Sequence, residues 1–136
     1  MTWFCLYTAI ASEFKAMAGL NAHNFQCYLP LLSRKRQISG RVVTRTSPLL
    51  ARYLFVCIPP EELAVVHNIR GVQEILPHEQ EPIPVPACEI EKLQERERNG
   101  EFVFRDTARD QRRLRKILKS FRELAILSEQ EYFHVN

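Results

Sequence analysis

The chain has 136 residues, 46% of them hydrophobic and 26% charged, with a formal net charge of +3. That length bounds it to one compact domain with a core of its own, and the composition excludes a disordered or collagen-like chain. No apolar run approaches the about 18 residues of a membrane span, and the first ten residues lack a basic leader. A cytoplasmic protein with no membrane partner is therefore expected.

In chain order, Trp3–Thr8 (WFCLYT) reads as a buried first strand. Ser12-Glu13 opens a helix in which Phe14, Met17, Ala18 and Ala22 share a face. Phe25–Leu29 alternates as a second strand, and Pro30 ends it. Ser33–Ser47 is basic and β-branched with Gly40 in its middle, which predicts a β-hairpin turning near Ser39-Gly40. Arg52–Ile58 (RYLFVCI) is nearly continuous in apolarity and predicts a central strand, stopped by Pro59-Pro60. A short helix over Glu61–His67, a strand over Val72–Leu76 and a proline-rich loop over Glu79–Pro86 follow. A helix from Pro86 to Asn99 carries Ile90 and Leu93 on one face, and Asn99-Gly100 marks its end.

This order predicts an α/β (α+β) fold: a small mixed or antiparallel sheet with helices on one side, in a ferredoxin-like arrangement. Residues 101–136 stand apart. After the short run Phe102–Phe104 comes a long amphipathic helix, with Leu114, Ile117, Leu118, Phe121 and Ala125 in one stripe and Leu124 beside it. Arg112, Arg113, Arg115, Lys116 and Lys119 take the other side. The stripe must be buried on the domain, a second copy or a partner.

Charge is unevenly placed. Ser33–Arg52 holds six basic residues and no acidic one, and Arg105–Lys119 holds seven basic residues against Asp106 and Asp110. Such blocks suit nucleic acid, an acidic protein, or plain solvation.

Catalytic chemistry is not expected. Cys5, Cys27, Cys57 and Cys88 form no CxxC pair and read as buried free thiols, with no metal site. His23, His67, His78 and His134 are far apart in sequence. No phosphate-cradling glycine loop or nucleophile motif occurs. Glu89, Glu91 and Glu95 interleave with Lys92, Arg96 and Arg98, as on a solvated helix. No cofactor is implied, and a binding function is the expectation.

WFCLYT at Trp3–Thr8, Glu13, FQCYLP at Phe25–Pro30, SPLLARYLFVCI at Ser47–Ile58, IRGVQEIL at Ile69–Leu76 and PIPVP at Pro82–Pro86 occur in one order. Over roughly residues 1 to 98 this resembles the N-terminal domain of the NusG transcription elongation factors, particularly the RfaH-like paralogues. The resemblance implies a four-stranded antiparallel sheet flanked by helices over residues 1–100. It leaves 101–136 as a helical extension in place of the family's KOW barrel, so coupling to Rho or the ribosome is not expected. It further implies binding to the clamp helices of the largest catalytic subunit of bacterial RNA polymerase, with suppressed pausing or termination.

Carried over, the clamp-helix contact falls on Tyr7, Leu50, Ala51, Tyr53 and Val72, with Trp3 and Phe55 in the core. The hairpin residues Arg34, Lys35, Arg36, Arg41 and Arg45 would hold phosphates of non-template or upstream DNA. Glu62–Val66 replaces the histidine- and threonine-rich jaw contact of RfaH, so that contact is not expected. By analogy with RfaH, the stripe Leu114, Ile117, Leu118 and Phe121 could cover Tyr7 and Tyr53. Two competing readings are a nucleic-acid-binding module independent of polymerase, and a regulatory protein that dimerises through its C-terminal helix.

Overall fold

The computed structural model describes residues 1–121. Four strands, β1 (Thr2–Thr8), β2 (Gln26–Tyr28), β5 (Tyr53–Ile58) and β6 (Val72–Ile75), form one sheet in the order β2-β5-β1-β6, and every pair in it is antiparallel. With helix α1 (Glu13–Ala22) between β1 and β2, and α2 (Leu63–His67) between β5 and β6, this is the ferredoxin-like order. The two most apolar segments, β1 and β5, are central. Val85 bridges Trp3 and continues the β6 edge.

Between β2 and β5 the chain makes the long hairpin β3 (Leu31–Ile38) and β4 (Arg41–Pro48). Ser39 and Gly40 both have positive φ, 51° and 78°, which is the turn that suits the twist of two joined strands. After α3 (Ala87–Arg98), a short strand β7 (Val103–Arg105) pairs in parallel with β3, giving a second sheet β4-β3-β7. Helix α4 (Ala108–Phe121) follows.

Helices cover both faces of the four-stranded sheet, not one. Alternation along β1 and β5 sends Phe4, Leu6, Leu54, Val56 and Ile58 to a core with Ala16, Leu20, Val66 and Ile69, the side of α1 and α2. It sends Cys5, Tyr7, Tyr53 and Phe55 to a second core with Ile90, Leu93, Phe102, Phe104, Leu114 and Phe121, the side of α3 and α4. The uninterrupted apolarity of β5, buried at all six residues, is the signature of a strand covered on both faces.

Three finer expectations are corrected. The buried face of α1 is Glu13, Ala16 and Leu20; Met17 is only partly buried and Phe14 is exposed. Trp3 is partly buried, packed at the margin of the second core, while Phe55 is fully inside. Of the thiols, Cys5 and Cys57 are buried, Cys27 is half-buried and Cys88 is exposed. Gly71 allows α1 to close on the sheet: its φ is +98°, and a Cβ there would stand 3.1 Å from the Ala16 nitrogen.

Candidate functional site

Tyr7 and Tyr53 are direct cross-strand partners on the central strands, with ring centroids 5.6 Å apart in an edge-to-face pair. Arg52, just before β5, is in the left-handed region at φ 74°. A buried carboxylate holds it there: Arg52 donates its backbone N–H to Glu13 Oε2 at 2.9 Å. Its carbonyl accepts the Thr8 N–H at 2.8 Å. Its side chain then turns back over β1, donating from Nε to the Thr8 carbonyl at 2.9 Å and from Nη2 to Gln73 at 2.8 Å. The guanidinium carbon stands 4.1 Å from the centre of the Tyr7 ring. Burial, with Cys5 and Tyr7 beside it, pushes the Tyr53 hydroxyl above the usual phenol range, so it stays protonated.

The five residues carried over for the polymerase contact are therefore distributed. Tyr7, Leu50 and Tyr53 are buried in one core, Ala51 is exposed beside them, and Val72 pairs with Thr8 but packs toward the opposite core. Arg52 and Glu13 complete this corner. Sequence reasoning counted Arg52 among the basic residues and as the first residue of the central strand; the strand instead begins at Tyr53, and no periodicity announces a left-handed arginine.

The hairpin is the second region. Its register pairs Arg34 with Arg45, Arg36 with Val43 and Ile38 with Arg41. Alternation places Arg34, Arg36, Arg41 and Arg45 on one face, and Lys35 with Thr44 on the other. The root is anchored by Glu97 of α3, which accepts both the Tyr28 hydroxyl at 2.8 Å and the Leu31 N–H at 3.0 Å.

The parallel pairing sets Phe104 beside Arg34 and Arg105 beside Lys35. The start of α4 is fixed by two hydrogen bonds through Asp110: the Thr107 hydroxyl accepts the Asp110 N–H, and the Asp110 carboxylate accepts the Arg105 N–H at 2.6 Å. That bond, with Arg113 and Arg109 nearby, holds the Asp110 carboxyl below its ordinary range. Arg113 stacks 4.2 Å over Phe104 and donates to the carbonyls of Glu101 and Val103. Leu114 and Phe121 are buried, and Ile117 and Leu118 are partly so; Phe121 meets Phe102 edge-on. Leu124 and Ala125 lie outside the described residues.

The two basic blocks of the sequence thus meet. Arg34, Lys35, Arg36, Arg105, Asp106 and Gln111 line one cleft of about 250 Å³. Sequence reading named Arg105 and Asp106 only by charge and Gln111 not at all; their place beside the hairpin escaped it because a three-residue strand does not say what it pairs with. Among the described residues no cluster of metal-ligating side chains occurs, and no helix is long and apolar enough to cross a membrane.

A solved structure described as "Domain interaction in Thermotoga maritima NusG" aligns with a TM-score of 0.48 at 17% identity. The alignment covers 69% of this chain and 55% of that one, so this chain spans little more than half of that protein. A family model described as "Transcription termination factor nusG" matches residues 1–94, more than half of the chain and including β1 through α2, β6 and most of α3. On that match, the chain belongs to the NusG family.

Proposed function

We propose that this protein binds bacterial RNA polymerase and modulates transcription elongation, suppressing pausing or termination. Its contact with the clamp helices of the largest catalytic subunit is centred on Tyr7, Leu50, Ala51 and Tyr53, with Val72 at the margin. The observation that carries this reading is the edge-to-face Tyr7–Tyr53 pair on the central strands, with Arg52 over the Tyr7 ring. Paired aromatics supply large apolar area, as interface anchors do. Arg52 lies over the Tyr7 ring, and both rings are otherwise buried in the core on the side of α3 and α4, so Ala51 and Arg52 are the part of this corner that a partner meets first. Family membership supports the choice of partner.

The hairpin residues Arg34, Lys35, Arg36, Arg41 and Arg45 then hold phosphates of non-template or upstream DNA without reading bases. The basic cleft also favours a second reading, direct nucleic-acid binding independent of polymerase. Salt-sensitive oligonucleotide binding with no polymerase capture would select it.

The test is capture of purified bacterial RNA polymerase by the full chain at about 0.15 M salt, where exposed charges are screened beyond about 8 Å. Ala51→Glu sets a charge at the exposed edge of the tyrosine pair without touching the core; Tyr53→Ala removes the anchor itself. Capture by the unaltered chain, weakened about tenfold or more by Ala51→Glu, is expected. No capture by the unaltered chain sinks the polymerase reading. Undiminished capture by both variants moves the contact elsewhere on the surface.

A further inference from the structure

We infer that Arg52 is the specificity-determining residue of the polymerase contact, and that the group it takes is a carboxylate set among apolar side chains on the partner's helix. This deepens the function proposed above and rests on it.

Its backbone is the first clue. Arg52 has φ 74°, a region that glycine, and after it asparagine, enters with least strain. Two hydrogen bonds hold the arginine there. Its N–H donates to the buried carboxylate of Glu13 at 2.9 Å, and its carbonyl accepts the Thr8 N–H at 2.8 Å. Such strain persists only where the surroundings enforce it, and it gathers at functional sites. Glycine would satisfy the turn alone, so the side chain is what calls for a reason. That side chain is aimed. Nε donates to the Thr8 carbonyl, Nη2 donates to Gln73, and the guanidinium carbon stands 4.1 Å from the Tyr7 ring centre. Only two of its five N–H donors are used in this way, and among the described residues the others meet no acceptor. Glu13 accepts from the backbone, and no described carboxylate forms an ion pair with the guanidinium. The result is a partly exposed cation, fixed in direction, with donors to spare at the margin of the tyrosine pair.

The surroundings narrow the ligand. Ala51, Ile10 and Phe14 are exposed apolar side chains at the same end of the sheet. Ala51 precedes Arg52, Ile10 lies two residues beyond Thr8, and Phe14 follows Glu13. A partner that covers them also takes water away from Arg52. A guanidinium stripped of water and left unpaired opposes binding, so the covering surface must return both charge and acceptors. A carboxylate does so, accepting two parallel N–H bonds from one arginine; a hydroxyl or a backbone carbonyl brings no charge. A phosphate has the same geometry, but exposed Ile10, Phe14 and Ala51 suit an apolar protein face and not a sugar–phosphate backbone. On a helix, a carboxylate three or four positions from an apolar residue lies on one face with it. Arg52 thus selects for a helix of that pattern, and the tyrosine pair backs the contact from within the core.

The test is the affinity of the full chain for purified bacterial core RNA polymerase, free of nucleic acid, at about 0.05 M and about 0.3 M salt, a range over which charge pairs at the rim of a contact are progressively screened. Arg52→Asn tolerates the left-handed backbone and removes the cation. It is expected to weaken binding at least about tenfold at the lower salt and by a smaller factor at the higher. Ala51→Glu and Ala51→Lys place opposite charges at one exposed position. With a carboxylate opposite, Ala51→Glu is expected to lose at least about fivefold more affinity than Ala51→Lys, and the gap is expected to narrow with salt. Matched thermal melts check each fold. Binding by Arg52→Asn equal to that of the unaltered chain overturns the inference. So does a loss of the same size at both salt concentrations, which is the mark of a collapsed corner and not of a missing charge. Ala51→Lys losing as much as Ala51→Glu overturns it too, whether or not Arg52→Asn folds. Each of these outcomes leaves the polymerase contact standing, whereas no binding by the unaltered chain removes the contact and the inference together.

Discussion

Strands β5 and β4 are built from similar extended, β-forming stretches, yet their fates are opposite. All six residues of β5 are buried, whereas the first seven of β4 are exposed and the last is half-buried. β5 lies between β1 and β2 with helices on both faces; β4 is the outer strand of the small sheet. An outer strand with free hydrogen-bonding groups invites pairing with another chain, and Arg41 and Arg45 discourage that while leaving the edge soluble. One strand specifies the fold, and the other is free to be specified by whatever the protein meets. Residues of the first kind resist change, and residues of the second kind change function without changing stability.

That contrast can be broken most sharply at the C-terminal helix, which joins the two regions. Phe121 is buried against Phe102 in the core shared with Tyr53 and Phe55. Phe121→Ala should cost about 3–5 kcal/mol in denaturant unfolding. Val43→Ala on the hairpin should stay within about 0.5 kcal/mol. Equal effects would mean that α4 is not part of the core. A smaller loss is expected at the Arg52 corner. Glu13→Ala leaves the Arg52 N–H without its buried acceptor, which should cost about 1–3 kcal/mol and make Tyr7 more accessible to chemical modification.

The smallest effect is a pH dependence. The Asp110 carboxyl is depressed in the folded state, chiefly by the hydrogen bond from the Arg105 N–H. Its contribution is therefore complete above the unfolded value of about 4 and is lost as pH falls through the lower folded value. Hydrogen exchange in the first turn of α4 should accelerate over that acidic interval, and Asp110→Asn should remove the pH dependence.

What the sequence disclosed follows the strength of each local signal. The apolar runs at Trp3–Thr8 and Arg52–Ile58, the turn at Ser39-Gly40 and the stop at Asn99-Gly100 each correspond to an element or its end in the structure. The stripe at Leu114, Ile117, Leu118 and Phe121 is the inward side of α4. What was illegible is tertiary. Nothing in three residues of strand says that β7 pairs with β3, so the meeting of Arg105 and Asp106 with Arg36 could not be foreseen. The face of α1 was misread because Glu13 is buried for the sake of one backbone N–H, while the apolar Phe14 is left outside. Layer count failed for a related reason: periodicity reports that a helix has an inner face, not which side of the sheet receives it.

The two hydrogen bonds accepted by Glu97 and the pairing of β3 with β7 through Lys35 fix the base of the hairpin, so only the segment beyond Lys35 is a cantilever. Its three positions to Ile38, at about 3.3 Å each, give an arm of roughly 10 Å. A tilt of about 10° there sweeps the tip through about 2 Å, less than half the spacing between neighbouring strands. The far end at Ile38 and Arg41 can follow a moving target over that range while the base stays where α3 and β7 hold it.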